Sequence, residues 1–298
     1  MRTLFICAKG CGSRPSISGS RCRIDHRRRW GRHVKCRFAA IVLCLACAAC
    51  ATRTATVSLR DAAMQTLPLR APGPVRELPA RSYRGASADY AYDLYLPAAS
   101  AAAPRLILLV HGGAPAASGL RGAPLMRSWA TQIVARTGAA VAAIGWDGHL
   151  RDTAQIGDAY AHLRAHASEY GIDAARPCVI TFSAGVAAVV PYALRDTALR
   201  PRCLAGFYGD WRPATEALAG ADVAGLPILV VRAGRDEVVP DQSAPAFAAA
   251  ARQAGARVSV LRQPNGLHAF EVRNPDDATV RILEQTLDFL KTEIAAEP

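Results

Sequence analysis

The chain has 298 residues, 51% of them hydrophobic, which is enough for one sizeable buried core. Its net charge of +12 is lopsided: residues 1–50 hold eleven Lys/Arg and one acid, and the remainder holds 25 basic and 23 acidic residues. The part beyond residue 50 is therefore nearly neutral, so its composition implies no nucleic-acid or other polyanion partner.

Seven of the nine cysteines lie in residues 1–50 without the paired spacing of a zinc site. Phe38 to Ala51 is an apolar run of small residues preceded by Arg32, Lys35 and Arg37. It is short for a bilayer span and fits the charged and apolar regions of a secretory signal. Residues 1–33 are too long and irregular for such a leader, so the natural start is expected near Val34. The run ends in Cys47-Ala48-Ala49-Cys50-Ala51, which resembles a bacterial lipoprotein signal. That resemblance implies export to the cell envelope or periplasm and a lipid anchor on Cys50, with Cys47 as the other acceptor or simple cleavage near Ala49–Ala51. Residues 51–80, with Pro68, Pro72, Pro74 and Pro79, read as a tether followed by an irregular or edge segment. The folded domain is expected over residues 81–298.

From there, buried strands and helices alternate. Tyr90–Leu96 alternates like a strand, and Arg105–Val110 is a continuous apolar run leading into His111-Gly112-Gly113. A helix follows over about 125–136, then a strand over 139–145 ending in Trp146. One long helix is expected over 152–170, stopped by Gly171. The next strand, Cys178–Phe182, runs into Ser183-Ala184-Gly185 and a helix to about Arg195. Strands at 203–207 and 227–231 end in Tyr208-Gly209-Asp210-Trp211 and Gly234-Arg235-Asp236. A helix at 244–254, a strand at 258–261, the loop Gly266-Leu267-His268-Ala269-Phe270 and a closing helix at 277–295 complete the chain. This order means an α/β fold with a mostly parallel sheet, helices on both faces and no large cap domain.

A serine at a strand–turn–helix junction is the signature of a nucleophile elbow. Thr181 stands where that pattern usually has glycine, which makes the motif degenerate. The order Ser183, Asp236, His268 at successive strand ends, with the glycine loop after an earlier strand, is more specific than any one feature. On these residues the chain from about 90 to 290 resembles the α/β-hydrolases, and is most similar to their dienelactone-hydrolase/esterase-like branch. The resemblance implies a serine esterase, a carboxylic ester hydrolase working through an acyl-enzyme on small-molecule esters, with no metal or organic cofactor. The nucleophile would be Ser183, where true dienelactone hydrolases use cysteine. His268 would be the base, Asp236 its partner, and the N–H groups of Gly112, Gly113 and Ala184 the oxyanion hole. Asp210 is a rival to Asp236, because it also follows a strand. Trp146, Tyr208 and Trp211 end strands on the same rim and are candidate pocket residues. Cys178 and Cys203 open strands expected to be neighbours, and an exported protein would oxidise them to a disulfide. Two other readings stay open: a serine peptidase of the same fold, and a non-catalytic envelope lipoprotein that uses the fold for binding.

Overall fold

The computed structural model describes residues 57–85, 90–113, 118–148, 152–239 and 242–296. The expected leader and signal over residues 1–50, with Cys47 and Cys50, lie outside the described residues. The strands are β1 (Val75–Ser82), β2 (Ala91–Pro97), β3 (Arg105–Val110), β4 (Ala140–Ile144), β5 (Asp173–Phe182), β6 (Cys203–Phe207), β7 (Pro227–Ala233) and β8 (Arg257–Gln263). They form one sheet in the order β1-β2-β4-β3-β5-β6-β7-β8. The β1–β2 and β2–β4 pairs are antiparallel and every later pair is parallel.

The helices are α1 (Leu59–Ala63), α2 (Pro124–Thr137), α3 (Ala154–Ala165), α4 (Ala167–Tyr170), α5 (Ala184–Arg195), α6 (Arg212–Ala217), α7 (Ser243–Gln253), α8 (Phe270–Arg273) and α9 (Asp277–Ala295). Successive strand residues point to opposite faces, so one apolar run feeds two cores. Leu106, Leu108 and Val110 of β3 pack with Ile156, Leu163 and Val189 from α3 and α5. Ile107 and Leu109 pack with Trp129 and Ile133 of α2 and with Leu283 and Leu287 of α9.

Three local features differ from the sequence pattern. The segment over 51–80, expected as a tether and an irregular or edge segment, contains a helix, α1, before the sheet's edge strand. Pro79 lies inside β1, where the register slips between Leu78 and Arg81, and an edge strand tolerates the missing donor. The single helix expected over 152–170 is broken at His166, whose φ of −105° and ψ of 13° divide α3 from α4. The short helices α6 and α8 have too few turns to leave a periodic signal.

Cys178 and Cys203 are register partners on β5 and β6 and are joined by a disulfide, with their Cα atoms 4.5 Å apart. Among the described residues, no helix is long and apolar enough to cross a membrane.

Candidate active site

β5 delivers Ser183 to the carboxyl edge of the sheet, between the strand and the first residue of α5. Its φ of 52° and ψ of −124° are strained for a residue with a side chain, and such strain persists only where neighbours enforce it. Here the Ser183 N–H donates to Phe207 O at 2.9 Å, and glycines let the flanking chains close in. A Cβ on Gly112 would lie 2.7 Å from both Phe182 O and Ser183 Cβ. A Cβ on Gly185 would lie 2.2 Å from Thr181 Oγ1 and 3.0 Å from His111 O. The threonine in place of the usual glycine is thus accommodated, and Gly185 alone supplies the clearance between strand and helix. The Thr181 hydroxyl is buried and has no hydrogen-bond partner among the described residues.

Loops after β7 and β8 bring Asp236 and His268 to the serine. His268 Nε2 is 2.8 Å from Ser183 Oγ, and His268 Nδ1 is 2.9 Å from Asp236 Oδ2. A carboxylate only accepts, so Nδ1 carries the proton and Nε2 faces the hydroxyl as an acceptor. Both side chains are buried. Burial alone would raise the Asp236 carboxyl. The His268 ring N–H and the Val239 and Val238 backbone N–H groups outweigh it and hold the pKa below the ordinary aspartate range. Asp210 is not brought to the histidine: its carboxylate is gripped in a fork by the Arg212 guanidinium, at 3.0 and 2.6 Å.

Gly112 and Gly113 follow β3 beside the elbow, and Gly113 takes a φ of 121° that favours glycine. Ala184 is the first residue of α5, where a backbone N–H has no acceptor within the helix. His111 Nδ1 donates to Gly112 O at 2.6 Å. Burial pushes the His111 imidazole down to about 4, so the ring is neutral at pH 7. Trp146 is not a pocket residue. It is fully buried and its indole N–H donates to His111 O at 3.0 Å, so it props the glycine loop from behind.

Ser183 and His268 open onto a cavity of about 360 Å³, which Tyr208 and Phe182 also line. The Tyr208 ring stands edge-on to His268 at 4.7 Å between centroids. Its hydroxyl donates to Glu271 at 2.5 Å. Burial, then the neighbouring Glu271 carboxylate, push the Tyr208 phenol well above its ordinary value. Trp211 does not line the cavity either: it is fully buried on the other face of the sheet, stacked on Phe247 at 4.5 Å. A strand-end position does not say which face a side chain joins.

Three groups at the site carry no sequence motif. Glu271 is a buried carboxylate, and burial raises its pKa. Glu237 Oε2 accepts the His268 backbone N–H at 3.1 Å, and Arg273 bonds both the Glu237 carboxylate and His268 O. A larger cavity, about 610 Å³, lies at the amino ends of β5 to β8 among Arg176, Arg202 and Arg257, remote from the serine. Among the described residues, no group of three His, Cys, Asp or Glu side chains is placed to hold a metal ion.

The model of the dienelactone hydrolase family matches residues 135–294, more than half of the chain. The chain belongs to the dienelactone hydrolase family. Carboxylic ester hydrolase is the enzyme class that this membership supports. The matched region contains Ser183, Asp236 and His268. A comparison with curated protein sequences gives no match. Among solved structures, an arylesterase aligns with 17% identity over 79% of this chain and 90% of its own, at a TM-score of 0.60. A bacterial heroin esterase aligns with 17% identity over 75% of this chain and 85% of its own, at 0.58. A truncated carbohydrate esterase from gut microbiota aligns with 15% identity over 78% of this chain and all of its own, at 0.59. At these identities the likeness is one of fold, the α/β-hydrolase fold.

Proposed function

We propose that the protein is a serine esterase that cleaves carboxylic esters through an acyl-enzyme, with Ser183 as nucleophile, His268 as base and Asp236 as its partner. The observation that carries this reading is the continuous line from Asp236 through both ring nitrogens of His268 to Ser183 Oγ, with every link at 2.9 Å or less.

A serine hydroxyl is a weak nucleophile near neutral pH. As Ser183 Oγ bonds to the ester carbon, its proton passes to His268 Nε2 and the carbonyl oxygen becomes an anion. The backbone N–H groups of Ala184 and the Gly112-Gly113 loop would receive that anion; one such donor typically contributes about 10²–10³ in rate. Asp236 holds the imidazole in its reactive tautomer and stabilises the imidazolium. The imidazolium then returns the proton to the departing alkoxide oxygen as the ester C–O bond breaks. Water repeats the sequence on the acyl-enzyme, releasing acid and free serine.

The same reading places the enzyme in the cell envelope, with residues 1–50 as leader and signal and Cys50 lipidated. Mass spectrometry of the mature amino terminus tests this: a diacylglycerol-bearing Cys50 supports it, and a mature chain that retains residues 34–50 refutes it.

The catalytic reading is tested with a fluorophosphonate probe and p-nitrophenyl acetate on wild type and Ser183→Ala. Labelling and turnover present in wild type and lost in Ser183→Ala support it. A folded wild type that neither labels nor turns over ester refutes it and favours a binding role for the fold.

A further inference from the structure

The segment that leads into β1 is fastened at several points. Arg273 Nε donates to Val57 O at 2.7 Å, and the Ser58 side chain caps α1 by accepting the Asp61 N–H at 3.1 Å. Downstream, Ser128 Oγ accepts the Leu67 N–H at 3.1 Å and Gln132 Nε2 donates to Arg70 O at 2.7 Å. Ala62 and Leu67 are buried in the same apolar cluster as Leu125 and Phe182. The consequence is that Leu59, Ala62 and Ala63 form part of the wall of the cavity that holds Ser183 and His268.

That cavity has two further properties. None of its described lining residues is Asp, Glu, Lys or Arg. Its mouth is apolar as well, because Leu59 and Val238 both line it while remaining 44% and 47% exposed. At about 360 Å³ it lies near the lower end of the roughly 300–1,000 Å³ of small-molecule sites.

We propose that α1 is the specificity wall of the site: Leu59, Ala62 and Ala63 close an uncharged cavity that takes one short apolar group of the ester and rejects a carboxylate. This rests on the esterase reading above. Each methylene that enters such a cavity should raise kcat/KM about fourfold, until the chain meets α1. A carboxylate entering it would lose its hydration without meeting a cation, at a penalty of at least about 100-fold. The small side chains of Ala62 and Ala63 set the depth, and Leu59 at the mouth sets how far a longer chain reaches.

The test uses the full chain with two ester series: p-nitrophenyl acetate to octanoate, which varies the acyl group, and ethyl to hexyl acetate, which varies the alcohol. A p-nitrophenyl hemiglutarate is set against the pentanoate. One series should rise with length and then fall, and its identity says whether the cavity takes the acyl or the alcohol group. Ala63→Leu should lower the ratio of kcat/KM for the best long ester to that for acetate by about tenfold. Leu59→Ala, at an exposed position, should shift the cut-off towards longer chains, and fluorophosphonate labelling confirms that each variant is folded. Length profiles unmoved in both labelled variants overturn the wall while leaving the esterase reading intact, as does, where the acyl series is the one that responds, hemiglutarate turned over as fast as pentanoate. If wild type neither labels nor cleaves any ester, the esterase reading fails and takes this inference with it.

Discussion

The Glu237 carboxylate accepts the backbone N–H of His268 at 3.1 Å, one residue after the aspartate that accepts the same histidine's ring N–H. Two consecutive acids on the loop after β7 thus hold one histidine by its ring and by its main chain. Arg273 completes the clamp, bonding Glu237, His268 O and, through its Nε, Val57 O. Burial would raise the Glu237 carboxyl, but the Arg273 guanidinium and the His268 N–H hold it below the ordinary glutamate range. In the proposed mechanism Glu237 is a positioning residue, because it touches His268 only through the main chain of its loop. Glu237→Ala should lower kcat about tenfold with little change in KM, the loss expected when one charge-assisted bond stops fixing a reacting group. Glu237→Gln keeps an acceptor for the His268 N–H and should recover most of it. Equal kcat in wild type and Glu237→Ala would remove the loop clamp from the mechanism.

Asp236 and Asp210 are separated by what already holds each of them. Asp236 is buried against His268, while Asp210 is taken up by Arg212 on a neighbouring loop. Asp236→Asn should drop kcat by about 10⁴, because the amide no longer holds the reactive tautomer. Asp210→Asn removes a half-exposed local ion pair and should leave kcat within about twofold. Steady-state kinetics on the two variants decides between them, and the reverse pattern would reassign the acid to the loop after β6.

Much of this was legible in the chain, for reasons that also say where legibility stops. Strands such as Arg105–Val110 are buried on both faces, so they appear as continuous apolar runs. That Ser183, Asp236 and His268 meet is legible because a parallel sheet collects strand ends at one edge. The sequence does not show that Trp146 and Trp211 are buried away from the cavity, because the end of a strand does not reveal which face a side chain joins. The helix break at His166 falls where Leu163 and Tyr170 keep one apolar stripe across it, so periodicity ran on. α1 did leave a signal, the Ser58-x-x-Asp61 cap, hidden among the prolines that follow. Glu271 left none: an acid becomes a buried hydrogen-bond acceptor only once Tyr208, 63 residues earlier, folds onto it.

His111 predicts how stability responds to acid. Its folded pKa is lowered to about 4 by burial, against about 6.5 in the unfolded chain. The unfolded state therefore binds a proton that the folded state refuses as pH falls from about 6.5 to about 4. The sign is loss of stability on acidification: the contribution is complete above about 6.5 and vanishes towards 4, on the order of 3 kcal/mol in all. His111→Asn cannot titrate, so its stability deficit relative to wild type should shrink between pH 7 and pH 4.5 in urea unfolding. Other groups, Glu271 included, are common to both proteins and cancel in that difference. A constant deficit across the range would mean that the ring does not stay neutral in the fold.

The disulfide ties the two strands that hold the elbow. Cys178 and Cys203 are fully buried partners on β5 and β6, and at the far end of the same pair the Ser183 N–H bonds to Phe207 O. Closing a loop across 25 residues of sequence stabilises by about 3–4 kcal/mol in the chain-entropy picture. In a domain of this size that corresponds to roughly 10 °C in Tm. The Cys178→Ala/Cys203→Ala protein should therefore melt about that much lower, as should wild type refolded after reduction. Kinetic constants should fall less than stability, because the β5–β6 hydrogen-bond ladder still places Phe207 O against the elbow once the sulfurs are gone. Non-reducing peptide mapping gives the direct check: peptides carrying Cys178 and Cys203 should migrate as one linked species, and alkylation of both thiols in denatured, unreduced protein would sink the crosslink.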